Sequence, residues 1–133
     1  MAASLTMEIV TPERKVFSEE VEALVVPATE GYLGVLPNHA PMITGLEIGV
    51  VKYTQANQEK NLAISGGFME VIDNKVIILA DTAELSGEIN VLRAQEAKAR
   101  AEKRLQDKSA LVDQIRAQQA LHRAVARLRA TGK

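Results

Sequence analysis

Leu85-Ser-Gly-Glu-Ile-Asn-Val-Leu-Arg-Ala94 is the stretch in which the composition of this 133-residue chain changes. Seven of the eight glycines and all four prolines lie at or before Gly87, and residues 88–131 contain neither. The net charge is −7 over residues 1–87 and +6 over residues 88–133, which the overall value of −1 conceals. The sequence therefore predicts an acidic compact domain over 1–87 and a basic helical arm over 88–133. Such an asymmetry of charge indicates an interaction role.

Before Gly87 the sequence predicts short strands separated by turns. Leu5–Val10 alternates apolar and polar residues, which is typical of a half-buried strand. Turn signals recur about every 8–12 residues and no helical stretch separates the strands, so an all-β sandwich or barrel is favoured over a parallel α/β sheet. Gly66-Gly67 is interpreted as a bulge or tight bend, with a ligand-approach site as the alternative. The expected turns are Gly31–Gly34, Gln55–Lys60 and Asp73–Asn74.

After Gly87 the apolar residues recur with a period of 3.6 residues in two runs, which predicts two amphipathic helices. We expect Ser86 or Asn90 to cap the first helix and Asp107 or Ser109 to cap the second. A break is expected over Gln106–Ser109. That segment contains no glycine or proline, so the sequence permits both a folded hairpin and one continuous helix. The runs are Ile89, Leu92, Ala97, Ala101 and Leu105, then Leu111, Ile115, Leu121, Val125 and Leu128.

Each predicted helix carries three arginines at i, i+7 and i+11, which places each trio on one helical face. In a folded hairpin the two rows could surround a polyanion such as a nucleoside triphosphate. In an extended arm they could lie against an acidic partner. The alternative is two solvated basic faces, balanced by acidic residues nearby. The trios are Arg93, Arg100 and Arg104, and Arg116, Arg123 and Arg127.

The sequence offers no constellation for catalysis or for metal binding. The absence of cysteine excludes disulfides and thiolate metal sites. His39 and His122 are far apart in the sequence, and no residue at a fixed spacing supplies a nucleophile, so no catalytic residue and no metal site are expected. No apolar run approaches the roughly 20 residues of a membrane span. No secretory or transit signal is visible, and the few aromatic residues argue against stacking on nucleic acid.

Five stretches together resemble the epsilon subunit family of bacterial F-type ATP synthases, in order and over essentially the whole chain. The resemblance implies a β-sandwich followed by a two-helix arm. It also implies a non-catalytic rotor subunit that binds the gamma subunit and the ring of c subunits. Such a protein lies at the cytoplasmic face of the bacterial plasma membrane as a peripheral protein. The stretches are Ile9–Pro12, Gly31–Pro41, Ser65–Val71, Val76–Glu84 and Ile89–Ala94.

The resemblance further implies that the arm is regulatory. Extended, the arm of such proteins inserts along gamma toward the catalytic alpha and beta subunits and suppresses ATP hydrolysis. Folded, it rests on the sandwich, and in some members ATP stabilises that state. The residues expected to meet acidic partner segments are Arg116, Arg123 and Arg127. Those expected at the c-ring end are Thr29, Glu30, Gly31, Tyr32, Asn38 and His39.

ATP is expected to be a weak regulatory ligand of this chain, with no cofactor required. Nucleotide-binding members share the motif Ile/Leu-Asp-x-x-Arg-Ala, with an upstream Glu and further arginines. Asn90 replaces the Asp, which removes a charge but keeps a good helix N-cap. The alternative function is a stand-alone ATP- or polyanion-binding protein of the same architecture. The residues of this ATP site are Glu84, Ile89, Asn90, Arg93, Ala94, Arg100, Arg123 and Arg127.

Overall fold

The computed structural model describes residues 3–109 and 113–132. These residues form eight strands, then a short 3₁₀ turn over Ser86–Glu88, then two helices. The strands are β1 (Leu5–Val10), β2 (Lys15–Val21), β3 (Ala23–Ala28), β4 (Gly31–Val35), β5 (Met42–Gln55), β6 (Gln58–Ile72), β7 (Lys75–Ala80) and β8 (Ala83–Leu85). The helices are α1 (Val91–Gln106) and α2 (Gln114–Thr131).

The strands form a mixed β-sandwich, which confirms the fold class predicted from the sequence. They follow the order β2-β1-β7-β6-β5-β3-β4, and β8 pairs with the first half of β6. The paired strands described here are antiparallel except β1 and β7, which run parallel. β5 and β6 pair in one register from Met42↔Val71 to Gln55↔Gln58. This long hairpin lies at the centre of the strand order, and the other strands extend the sheet on either side of it.

The core of the sandwich is built from large aliphatic side chains of the strands. The alternation along β1 places Leu5, Met7 and Ile9 inward, as the sequence predicts. Within the described ranges 3–109 and 113–132, no helix residue belongs to this core. The core of the sandwich is therefore formed by strand residues, without a contribution from the described parts of the helices. The largest fully buried side chains are Leu5, Met7, Ile9, Leu24, Leu62, Ile64, Met69 and Ile78.

The arm is folded onto the sandwich, with α2 as the layer next to the sheet. α1 packs against α2, and α2 packs against β5 and β6. Ala126 and Ala130 of α2 meet Val50 and Ala63 on the outer face of the sheet, together with Ile89. Since successive residues of a strand point to opposite faces, Val50 faces α2 while its neighbour Val51 lies in the sandwich core.

Two hairpin turns agree with the sequence and a third does not. Asp73–Asn74 is a two-residue turn with φ of +50° and +60°, which Asp and Asn tolerate better than most residues. The turn expected in Gln55–Lys60 narrows to Ala56–Asn57. The turn expected at Gly31–Gly34 is wrong, because these residues belong to β4 and the turn is Thr29–Glu30. Pairing with β3 overrides the weak strand preference of glycine.

Gly66-Gly67 lies inside β6 and is not the expected bulge, because the register with β5 is the same on both sides. Both residues have positive φ, +88° and +135°. A Cβ on Gly67 would stand 2.0 Å from the carbonyl oxygen of Leu79 in β7. Glycine is therefore required here by the backbone conformation and by the close approach of the neighbouring strand.

The helix caps match one sequence expectation and contradict another. Asn90 caps α1, since its Oδ1 accepts a hydrogen bond from the Arg93 backbone N–H at 3.0 Å. The expected cap of α2 by Asp107 or Ser109 is wrong. Asp113 caps α2 and accepts from the Arg116 N–H at 3.0 Å. α1 ends at Gln106, within the expected break, and Leu111 lies outside the described residues.

Neither α1 nor α2, the two helices of the described ranges, is long and apolar enough to cross a membrane.

Candidate functional site

A cleft of about 660 Å³ lies where the arm meets the sandwich. The β1–β2 turn and the segment that follows β7 line it, together with residues 88–90, α1 as far as Arg100, and one residue of α2. Its volume lies within the range of about 300–1,000 Å³ typical of small-molecule sites. Four arginines line it: Arg14, Arg93, Arg100 and Arg127. Four carboxylates line it as well: Glu13, Asp81, Glu84 and Glu88.

The structure brings together in this cleft seven of the eight residues proposed from the sequence for an ATP site. The eighth, Arg123, lines a small adjoining pocket with Glu84 and Arg127. Two residues of the motif, Ile89 and Ala94, are buried and shape the wall, whereas Asn90 is exposed. The seven residues in the cleft are Glu84, Ile89, Asn90, Arg93, Ala94, Arg100 and Arg127.

An ion pair on the sandwich side ties α2 to the last strand. The Nε of Arg127 donates to Glu84 Oε1 at 2.5 Å, and both side chains are about one-third exposed. A charge-assisted bond of this kind is short and orients both groups. In the structure this arginine of the predicted phosphate site is therefore already engaged by a carboxylate of the same site.

A second ion pair joins the β1–β2 turn to the turn before α1. Nη2 of Arg14 donates to both carboxylate oxygens of Glu88, at 2.9 and 2.8 Å. Glu88 Oε1 also accepts from the Leu85 backbone N–H at 3.0 Å. The hydrogen bond from Arg14, and next the one from Leu85, lower the pKa of the Glu88 carboxyl below its ordinary value.

The remaining two cleft arginines are the ones on α1. Arg93 and Arg100 are exposed, and among residues 3–109 and 113–132 neither side chain forms an ion pair. Asn90 uses Oδ1 for the helix cap, and its Nδ2 group is a donor that an aspartate could not provide. The cleft thus presents guanidinium and amide donors from α1 facing a space shared with the sandwich.

The residues expected at the c-ring end lie outside this cleft. Thr29 and Glu30 form the turn between β3 and β4, which continues into Gly31 and Tyr32 of β4. The Tyr32 side chain is 59% exposed. In the β4–β5 loop, Asn38 donates its backbone N–H to Asn74 Oδ1 at 2.8 Å, and Nδ1 of His39 lies 2.7 Å from the Ala40 carbonyl oxygen.

The basic row of α2 is divided in the folded arm. Arg127 and Arg123 adjoin the sandwich, whereas Arg116 is exposed in the first turn of the helix.

Arg14 and Glu88 form an ion pair in the cleft that sequence reasoning missed, as it missed the neighbouring carboxylates Glu13 and Asp81. Arg14 and Glu88 are 74 positions apart. Neither belongs to a local motif, and the pair joins a basic residue of the acidic region to an acidic residue of the basic region, so the charge pattern gave no signal for it.

The sequence matches two family descriptions that divide it between them. Residues 4–86 match "ATP synthase, Delta/Epsilon chain, beta-sandwich domain", and residues 88–132 match "ATP synthase, Delta/Epsilon chain, long alpha-helix domain". The ATP synthase epsilon chain of Syntrophomonas wolfei is 51% identical over 132 residues, which cover 98% of this chain and 96% of the relative. That of Moorella thermoacetica is 52% identical over 131 residues, 98% of each chain.

Two solved structures share the fold. A chain of the Euglena gracilis mitochondrial ATP synthase, solved as OSCP/F1/c-ring in rotational state 1, gives a TM-score of 0.83 at 25% identity. The match covers 98% of this chain and 82% of that one. A chain from the central stalk and c-ring of the Tetrahymena thermophila enzyme gives a TM-score of 0.63 at 16% identity over 95% of each chain, and it supports the fold alone. Because the two family matches and the epsilon-chain relatives cover almost the whole sequence, this chain belongs to the ATP synthase delta/epsilon chain family.

Proposed function

We propose that this chain is a non-catalytic central-stalk subunit that helps couple ion flow to ATP synthesis and inhibits ATP hydrolysis through its arm. The full-length similarity to epsilon chains supports the first part, as does the likeness to a chain solved in an F1/c-ring assembly. The proposal includes a peripheral position at the cytoplasmic face of the bacterial plasma membrane, with no membrane insertion and no nucleic-acid partner.

The way α2 is held supports the role of the arm. Small side chains, chiefly Ala126 and Ala130, make the apolar contact with the sheet, and the core of the sandwich lies on the other side of that sheet. The arm can therefore leave without opening the core. Once extended, α2 would present Arg116, Arg123 and Arg127 to acidic segments of the catalytic alpha and beta subunits.

The sandwich is proposed to bind the gamma subunit and the c ring in both states of the arm. Its candidate c-ring contacts are the turn Thr29–Glu30 with Gly31 and Tyr32, and the loop residues Asn38 and His39. Their position in or beside surface loops, away from the cleft, supports this role, because loops on a rigid scaffold are common sites of recognition.

The whole complex provides the experiment that tests the arm. A truncation after Asn90 removes both helices but keeps Glu88, which bonds Arg14 and Leu85. We expect the truncated subunit to assemble and ATP hydrolysis to rise. Unchanged hydrolysis in an assembled complex contradicts the inhibitory role. Failure of the full chain to co-purify with an ATPase favours the stand-alone binding protein instead.

A single substitution separates contact with the catalytic subunits from docking on the sandwich. Arg116 is exposed in the folded arm, so Arg116→Ala leaves the folded contacts in place and removes one arginine from the extended row. We expect higher ATP hydrolysis by the assembled complex. Lys103→Ala, an equal loss of charge on the exposed face of α1, is the matched control. Equal effects of the two variants contradict the specific role of Arg116.

The cleft is proposed to bind ATP weakly and so to stabilise the folded arm. Arginines of both helices line it, so a ligand there would join α1 to α2. A lost or misplaced hydrogen bond at Asn90 costs about 1–3 kcal/mol, or roughly 5- to 150-fold in affinity. Calorimetric titration with ATP should therefore show tighter binding after Asn90→Asp.

The control exchanges the same two side chains at the other helix cap. Asp113→Asn changes a capping residue that does not line the cleft, and both residues cap well. It should leave ATP affinity unchanged. Tight binding by the wild type, or no gain from Asn90→Asp, contradicts this account of position 90.

A further inference from the structure

Arg14 is a cleft arginine that lies outside the family motif. It belongs to the β1–β2 turn of the sandwich, whereas Arg93 and Arg100 belong to α1 and Arg127 to α2. Three separate parts of the chain thus contribute guanidinium groups to one cavity. The Arg14 side chain is about half exposed, and Glu88 holds its Nη2 through both carboxylate oxygens.

We propose that Arg14 is a further phosphate-binding residue of this cleft and that Glu88 occupies it when no ligand is bound. Glu88 is then an internal competitor for the phosphate chain of ATP. The inference rests on the proposed function, in which ATP is the ligand of the cleft. It assigns a second cause of weak ATP binding, independent of Asn90.

The chemistry of the pair supports an exchange of partners. A guanidinium donates the same N–H groups to a carboxylate and to a phosphate, so the two acceptors compete for it. An ion pair that is exposed to this extent contributes little to stability, so a polyphosphate of higher charge can displace it. The pKa of Glu88 is lowered, which keeps the carboxylate charged, and its bond to the Leu85 N–H keeps it at the cleft.

A purely structural role of the pair makes a different prediction. If Arg14 and Glu88 only hold the turn before α1 to the sandwich, removal of either partner breaks the same contact and shifts ATP affinity in the same direction. If Arg14 binds phosphate and Glu88 competes, the two substitutions act in opposite directions. Glu88→Gln is suitable, because the amide oxygen can still accept from the Leu85 N–H.

The test is a calorimetric titration with ATP of the full-length protein carrying Asn90→Asp, in which binding is expected to be strong enough to measure. Arg14→Ala should weaken binding about two- to fivefold, and Glu88→Gln should tighten it by a similar factor. Arg129→Ala and Glu47→Gln change the same charges at exposed positions that do not line the cleft, and they should have little effect. Circular dichroism confirms that each variant is folded.

The outcomes separate this inference from the proposed function. Shifts of Arg14→Ala and Glu88→Gln in the same direction, or shifts no larger than those of the controls, overturn the role of Arg14. In that case a loss of affinity in Arg93→Ala still supports the ATP site itself. No ATP binding by the Asn90→Asp protein overturns both the ATP site and the role of Arg14.

Discussion

In the sandwich, the side chains that lose all contact with water are Leu, Ile, Val and Met, whereas every buried residue within the described parts of α1 and α2 is an alanine. A buried methylene contributes about 0.8 kcal/mol, so an alanine contributes little to the free energy of folding compared with a leucine or isoleucine. The difference teaches that apolar burial stabilises the sandwich far more than the arm, which is what the proposed release of the arm requires. The helix residues in question are Ala94, Ala101, Ala117, Ala124, Ala126 and Ala130.

The polar contacts between the arm and the sandwich are weak as well. Within residues 3–109 and 113–132 no polar or charged residue is buried. The ion pairs Glu84–Arg127 and Glu88–Arg14, which join the sandwich to α2 and to the turn before α1, are one-third to one-half exposed. Exposed ion pairs contribute up to about 1 kcal/mol each. They direct the arm to one docked position and add little resistance to its release.

The largest expected effect is the loss of a core side chain from the sandwich. Ile78 of β7 is fully buried, so Ile78→Ala should lower the free energy of unfolding by about 2–5 kcal/mol. Urea denaturation measures the loss. Ala124→Gly in α2, also fully buried, should cost only about 1 kcal/mol. Equal losses in the two variants contradict the comparison.

The next effect concerns the backbone of the sandwich. Gly67→Ala places a Cβ 2.0 Å from the Leu79 carbonyl oxygen at a φ of +135°. The strain should cost at least about 2 kcal/mol. Gly34→Ala in β4 meets no atom within 4 Å and serves as the control, with a change close to zero. Thermal unfolding of both variants should give a large drop in Tm for the first alone.

A smaller effect is expected at the docked face of the arm. Ala126→Leu overfills the contact between α2 and the sheet at a cost of about 1–3 kcal/mol. In the proposed function the arm undocks, so the variant should relieve the strain by releasing α2 rather than by unfolding the sandwich. The chain contains no cysteine, so a pair of introduced cysteines on β6 and α2 can carry labels for a distance measurement. A longer label distance with unchanged urea unfolding of the sandwich supports the comparison, and a destabilised sandwich contradicts it.

The smallest effect is a pH dependence within the sandwich. A hydrogen bond from Lys75, and the charge of Lys15, hold the pKa of Glu8 below its ordinary value of 4.5. A lowered folded pKa means that the stabilisation is present above the unfolded value and is lost as the pH falls through the folded one. Glu8→Gln should therefore reduce Tm slightly at pH 7, and the difference should disappear as the pH falls below 4.5. A difference that stays constant over this range contradicts the assignment.

Sequence patterns predicted those features that local chemistry decides. The alternation of Leu5–Val10 defined β1, the Asp73–Asn74 pair defined a hairpin turn, and Asn90 was among the expected caps. These features depend on residues a few positions apart, where the period, the φ preference and the capping side chain are all visible in the sequence.

Long-range contacts decide the features that the sequence did not predict. Glycines in β4 and β6 suggested a turn and a bulge, but pairing with neighbouring strands keeps them inside continuous strands. The parallel pairing of β1 with β7 is also long-range. The family motif identified the α1 wall of the cleft, whereas Arg14 and Glu88 became visible as a pair only when the fold placed them together.

The outward and inward valines of β5 allow release of the arm and unfolding of the sandwich to be observed separately. Val50 lies under α2 and Val51 lies in the sandwich core, although they are neighbours in sequence. The methyl resonances of Val50 should shift when the arm is released, whereas those of Val51 should change only when the sandwich unfolds. Two adjacent residues of the same type thus report arm position and domain integrity in a single NMR spectrum, without any label that disturbs either.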